Sequence, residues 1–300
     1  MNRKSQRRKT MIAYVVSAPS LLLIASIVVF PILYTFYISL TNMNIYHWFN
    51  YEIIGIKNYL RALTVFDSGF FSALVTTVIW TIVNIVLQLI IAFVMANLLN
   101  SPLLRHQKRL YETILMFPWA MPGYVSILLW KTGMFNTQFG LLNNWVQKLG
   151  FEPQRWLSND VSAFICCTVV NLWLALPFMI MIMDGGLKSI DKCLYESATM
   201  DGAGKLKQAM VVTIPCIKPI IGPSVVITIF TTFKTFDVIY LMVLQTGSQT
   251  GANIQTIITY AYENAFITNN YGYSSAISII IFIMLIGFSM LTSRRKNNDA

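Results

Sequence analysis

The sequence predicts an all-α integral membrane protein with six transmembrane helices and both termini in the cytoplasm. Three observations lead there. Of the 300 residues, 56% are hydrophobic and only 11% are charged, with a mean hydropathy of +0.60, whereas charged residues make up about 25% of soluble domains. Six apolar stretches approach or exceed the roughly 20 residues that cross a bilayer. The basic residues cluster at the ends of those stretches on alternate sides.

In order, residues 1–10 form a basic segment carrying Arg3, Lys4, Arg7, Arg8 and Lys9. The first span, 13–40, follows it without an A-x-A cleavage site, and so reads as a retained helix rather than a signal peptide. The second, 71–99, carries a polar stripe of Thr77, Thr81, Asn84 and Gln88 that reads mainly as packing between spans. The third, 112–130, is short and interrupted by Pro118 and Pro122. An outer loop then offers LLNNWVQKL, 141–149, as a short interfacial helix. The fourth span covers 161–183, the fifth 219–244 and the sixth 275–293, with a basic tail at 294–300. Residues 11–293 thus form one membrane domain.

Orientation follows from Lys and Arg. The N-terminus, residues 100–111, residues 184–218 and the C-terminus together hold sixteen of the 22 basic residues, whereas the opposite loops hold five, Lys57, Arg61, Lys131, Lys148 and Arg155. The richer side is cytoplasmic. Lys234 lies inside the fifth span, three residues from Asp237, at a helical spacing that allows an ion pair.

The excess of 22 basic over 12 acidic residues does not point to nucleic acid, because it is spent on flanking spans. Cys166, Cys167, Cys193 and Cys216 show no CxxC spacing, and His47 and His106 share no motif with them, so neither a metal site nor a disulfide framework is expected. The phosphate loop G-x-x-x-x-G-K-[ST] is absent. Gly204-Lys205 is followed by Leu206, and Gly185-Gly186-Leu187-Lys188-Ser189 lacks the GK pair. The chain is therefore expected to catalyse no reaction and to bind no cofactor of its own.

Between the fourth and fifth spans lies a polar insert, 187–215. Leu194, Glu196, Ala198 and Met200 favour helix, Gly202 and Gly204 interrupt it, and Pro215 precedes the next span. The pattern is helix, glycine turn, helix. By periodicity alone it fits either an amphipathic linker on the membrane surface or a docking element.

The insert resembles the EAA loop of bacterial ABC importer membrane subunits: Glu196, Ser197 and Ala198, then Gly202, then Val212, Thr213, Ile214 and Pro215, with every spacing kept. The resemblance implies a type I ABC importer permease. In that family the loop docks in a cleft of the ATP-hydrolysing subunit, so Glu196, Ala198, Asp201 and Gly202 become the coupling residues. Gly202 would supply the turn, since glycine reaches positive φ at little cost.

Polar faces also lie inside the spans. Asn171, Ala175 and Phe178 fall at i, i+4 and i+7 of the fourth span, and Thr228, Thr231, Thr232 and Thr235 recur in the fifth. They fit either a sugar pathway or helix–helix packing. The stretch VNLWLALPFMIMIMDGGLKSIDKCLYESATMDGAG is similar to maltose and maltodextrin importer membrane subunits, and SAPSLLLIASIVVFPILYTFYISLTN, FPWAMPGYVSILLW and YGYSSAISIIIF agree with them. The usual GGP after the fifth span is missing, Gly247-Ser248-Gln249 standing near its place.

This resemblance implies sugar-contacting roles for Asn171, Ala175, Phe178, Thr228, Thr231 and Thr232. It further implies a multi-pass protein of the bacterial cytoplasmic membrane and a second homologous permease subunit. Two copies of an ABC ATPase, which would bind ATP and Mg²⁺, and an extracellular sugar-binding protein complete the set, with a malto-oligosaccharide as cargo. Import of another solute such as glycerol phosphate, or an ion-coupled secondary carrier, are the alternatives. A carrier would show intramembrane carboxylates or inverted repeats and would need no docking loop.

Overall fold

The computed structural model describes residues 3–64, 68–101, 104, 107–244 and 252–298. Helix α1, Arg3–Ile24, continues through a π-helical turn, Ala25–Val29, into α2, Phe30–Ser39. The wide turn sits just before Pro31, which has no N–H to donate and whose ring would crowd a normal preceding turn. A short α3, Lys57–Leu63, precedes the long α4, Ser68–Leu99.

The third predicted span is two helices, α5, Lys108–Ala120, and α6, Gly123–Leu129, the latter extended by a π turn, Trp130–Met134. They meet at a bend of 94°. The cause is local. Met121 precedes Pro122 and is forced to extended backbone, φ −84° and ψ 145°, because the proline ring disfavours the α region for its predecessor. Among the described residues, five helices are long and apolar enough to cross a membrane, or six with this bent pair counted as one span.

Helix α7, Leu141–Lys148, forms where a short helix was expected at 141–149, and α8, Asp160–Lys188, is the fourth span. Asn159 caps α8 by accepting from the Val161 N–H at 2.8 Å, satisfying a donor that a helix start leaves free. The insert contributes α9, Lys192–Met200, and α10, Lys205–Gln208. A π turn, Ala209–Thr213, then leads into α11, Ile214–Phe233, which is followed by α12, Asp237–Met242, α13, Ile257–Phe266, and α14, Tyr271–Asn298. The missing GGP region at Gly247-Ser248-Gln249 lies outside the described residues.

By internal packing the chain divides into two units, residues 1–71 with 260–300, and residues 72–259. In the first, α14 packs along α2 and α3. Its close approach needs Gly272, where a Cβ would lie 2.2 Å from the Thr41 carbonyl oxygen. The Gly272 N–H donates to Met43 O at 2.9 Å, and Asn58 Nδ2 donates to Ser39 O at 2.9 Å and Thr41 O at 2.8 Å. Arg61 stacks over the Tyr273 ring, 4.2 Å from its centroid.

The second unit holds two apolar layers. One gathers Trp80, Ile127, Ala163, Cys166, Val170, Ile239 and Met242, and the other Ala92, Ala96, Leu99, Met179, Ile180 and Met183. The small residues of α4 let α8 come close, as at other membrane helix contacts. Trp80 meets Phe164 edge to face at 5.6 Å, and Asn100 meets Asp184, so α4 and α8 run in the same direction. Helix α11 starts against the end of α8, Ile217 Cγ2 lying 3.6 Å from where a Gly186 Cβ would be, and it runs back along α8.

One loop is held by a single side chain. Buried Asn143 of α7 donates to the carbonyls of Asn136, Thr137 and Gln154 at 3.2, 3.1 and 2.9 Å. Its Oδ1 accepts from the Gln154 N–H at 2.9 Å and from Trp156 Nε1 at 3.0 Å.

Candidate functional site

The polar insert is a hairpin of two short helices standing out from the end of the larger unit. Asp191 starts α9 by accepting from the Cys193 N–H at 3.0 Å. The helix stops at a glycine in the left-handed region, Gly202, with φ +75°. Its N–H donates to Thr199 O at 3.0 Å and that of Ala203 to Ala198 O at 2.9 Å, the paired bonds that close a helix around a C-terminal glycine. A Cβ at Gly202 would meet nothing within 4 Å, so backbone conformation alone is what the glycine supplies.

Side chains then fasten α9 to α10 and to the π turn beyond it. Gln208 Nε2 donates to Thr199 Oγ1 at 2.9 Å and to Ala203 O at 3.0 Å, and the Tyr195 and Thr213 hydroxyls lie 3.0 Å apart. The outward surface combines exposed Glu196 and Asp201 with half-buried Ala198. Met200 is 89% exposed and Leu206 73%, beside exposed Met210 and Val211. Large apolar side chains among carboxylates and lysines on a rigid hairpin form a surface suited to a protein partner.

The polar faces of the spans are placed less uniformly. Asn171 is buried and donates through Nδ2 to Asn84 Oδ1 at 2.7 Å, Ala175 is half-buried, and Phe178 is 38% exposed. On α11, Thr228 and Thr232 are buried, but Thr231 is exposed, its hydroxyl turned back on the carbonyls of Ile227 and Thr228 at 3.2 and 3.0 Å. Thr235 lies beyond the end of α11, so the four threonines do not form one face. No hydrogen bond among the described residues joins the α8 set to the α11 set. Gln88, one turn on from Asn84, is buried with neither amide atom partnered.

The spacing of Lys234 and Asp237 allowed an ion pair, and none forms between them among the described residues. The helix ends at Phe233 and restarts at Asp237, so the three-residue separation is not helical and both side chains are exposed. The ion pairs that do form lie elsewhere. Asp184 binds Lys188 Nζ at 2.5 Å and Lys108 Nζ at 3.0 Å, a cluster that sequence reading missed. Asp184 and Lys188 four apart on one helix were a readable signal, whereas Lys108 comes from another span.

Three comparisons bear on the family. Residues 88–295 match the family of the binding-protein-dependent transport system inner membrane component. The galactooligosaccharides transport system permease protein GanP of Bacillus subtilis (strain 168) is 32% identical over 296 residues, covering 95% of this chain and 70% of that protein. The trehalose/maltose transport system permease protein MalF of Thermococcus litoralis is 29% identical, covering 96% and 94%.

Among solved structures, a bacterial ABC transporter involved in the import of the acidic polysaccharide alginate superposes with a TM-score of 0.81. It covers 98% of both chains at 17% identity, which establishes likeness of fold. A model match over more than half the chain and relatives aligned along nearly all of it agree: the chain belongs to the binding-protein-dependent transport system inner membrane components.

Proposed function

We propose that this chain is one membrane subunit of an ATP-driven sugar importer of the bacterial cytoplasmic membrane, paired with a second homologous permease subunit, and that α9 is its docking element for a separate ABC ATPase. The observation that carries the reading is the hairpin of α9 and α10. A surface helix ended by Gly202 at φ +75° exposes Glu196 and Met200 without any nucleotide-binding loop in the chain. Glu196 makes the charged contact, Ala198 lets the partner approach, and Gly202 holds the turn. The segments that hold sixteen of the 22 basic residues, α9 and both termini among them, are cytoplasmic.

The cargo is an oligosaccharide, with a malto-oligosaccharide favoured. Relatives named for galactooligosaccharides, trehalose and maltose, and maltodextrin support that class. An extracellular sugar-binding protein delivers it, a reading supported by an alginate importer solved with its pentasaccharide-bound periplasmic protein. ATP binding closes two ATPase subunits and moves α9, favouring outward-facing spans, and hydrolysis resets them. The chain makes and breaks no covalent bond; it biases two conformations through contacts that differ between them. Asn171, Ala175, Phe178, Thr228, Thr231 and Thr232 supply the polar and aromatic pathway.

The test is ATPase activity of the co-purified complex in nanodiscs, with and without binding protein loaded with maltotriose or a galactotriose, for wild type and Glu196→Ala. Stimulation by loaded binding protein that the variant loses supports both cargo class and docking helix. Absence of any co-purifying ATPase overturns the reading.

A further inference from the structure

Below the apolar layer of Ala92, Ala96, Leu99, Met179, Ile180 and Met183, the larger unit carries a second, ionic layer. Its centre is Asp184, whose side chain is 2% exposed. Oδ1 accepts from Asn100 Nδ2 at 2.7 Å and from Lys108 Nζ at 3.0 Å, and Oδ2 pairs with Lys188 Nζ at 2.5 Å. Lys108 also donates to Asn100 Oδ1 at 2.6 Å. Glu112 stands 3.8 Å from Lys108 and 3.6 Å from Lys188, so two carboxylates face two ammonium groups and the set is neutral. Asn100 directly follows α4, Lys108 and Glu112 open α5, and Asp184 and Lys188 close α8. One buried carboxylate therefore joins the ends of three spans.

Its place relative to the docking hairpin matters. Helix α8 ends at Lys188 and α9 starts at Lys192. The link is short and pinned at both ends, Ser189 Oγ donating to Gly186 O at 2.7 Å and Asp191 capping α9. A displacement of α9 is thus delivered to α8 within one turn of Asp184. Without the ionic layer it would move the end of α8, and α11 through the π turn that Tyr195 meets at Thr213, but not α4 and α5. With it, the ends of α4 and α5 must follow, because the buried Asp184 carboxylate cannot leave Lys108 and Asn100 without its own charge losing partners that water does not replace.

We propose that Asp184 is a positioning residue for transport: it binds the ends of α4, α5 and α8 into one block, so that motion of α9 delivered to α8 is passed on to α4 and α5 as well. The inference rests on the importer reading above. Its signature is a change in sugar moved per ATP hydrolysed, a ratio that a loss of assembly or of folded protein leaves unchanged.

The complete transporter is reconstituted in proteoliposomes with ATPase and binding protein, and uptake of maltotriose and, in parallel, a galactotriose is measured beside ATP hydrolysis. Asp184→Asn keeps the size and one acceptor but removes the charge. It is expected to hydrolyse ATP while uptake per ATP falls about fivefold or more, the low end for energetically coupled sites. Asp184→Glu, which keeps the charge, is expected to recover most of the ratio. A wild-type ratio in Asp184→Asn, including uptake and hydrolysis falling in proportion, overturns the proposal. If Asp184→Asn does not assemble, Lys108→Gln decides by the same ratio: a loss supports the block and an unchanged value overturns it. Wild-type vesicles that show no ATP-dependent uptake of either sugar count against the importer reading instead.

Discussion

Asn171 on α8 donates its side-chain amide to Asn84 on α4 at 2.7 Å. Asn84 spends its own amide on the Trp80 carbonyl at 2.9 Å. Both residues are buried, in the part of the unit between its two apolar layers, where lipid offers no replacement partner. The contact makes Asn171 part of the packing of α4 on α8, whatever it also contributes to a pathway.

A double-mutant cycle measures that contact. Asn84→Leu, Asn171→Leu and the double variant, unfolded in bicelles, are expected to give an interaction energy of about 0.6–1.7 kcal/mol, the range found for polar pairs between membrane helices. A value of zero removes the pair from the packing.

Gly202→Ala places a Cβ on backbone at φ +75°, which costs about 1–2 kcal/mol for an L-residue. The paired bonds that close α9 weaken accordingly, and amide exchange at residues 202 and 203 is expected to quicken by about five- to thirtyfold. Gly202→Asn, better suited to left-handed backbone, is expected to show the smaller effect. Equal exchange in all three proteins contradicts the role of the turn.

At Gly272 the constraint is space. A Cβ there would stand 2.2 Å from the Thr41 carbonyl oxygen, so Gly272→Ala must push α14 away from the segment after α2. The expected loss is about 1–3 kcal/mol, as for overpacking elsewhere, read as a lower thermal midpoint in detergent. An unchanged midpoint means that the two segments already have room to separate.

Asn143→Ala removes five hydrogen bonds at once. Each buried group left unpaired costs about 1–3 kcal/mol, more than a surface loop can absorb. Limited proteolysis is expected to cut within residues 136–156 of the variant and to spare the wild type. Asn143→Asp keeps both accepting bonds and loses the three donations, so its cleavage rate should fall between them.

Much of this architecture was legible in the chain itself. The spans could be located because twenty apolar residues in a row have few other fates, and the hairpin of α9 and α10 because helix formers, Gly202 and Gly204 follow one another within one short segment. Pro122 marked the break in the third span, but its 94° bend could not be read, because a proline restricts its predecessor without setting where the next helix packs.

The pairings between spans were not legible. The threonines of the fifth span looked like one face until the helix ended at Phe233, and the same ending separates Lys234 from Asp237. Lys108 meets Asp184 across 76 residues of sequence, and Asn84 meets Asn171 across 87.

Membrane class, the apolar spans and the helix–glycine turn–helix insert were legible within the chain, because each depends on residues within a turn or two of one another. Which carboxylate is buried, which amides meet and which helix ends are locked together depended on the folded arrangement. Hydrogen bonds and ion pairs act over about 3 Å, and only the packing of α4, α5 and α8 brings those distant residues within that reach.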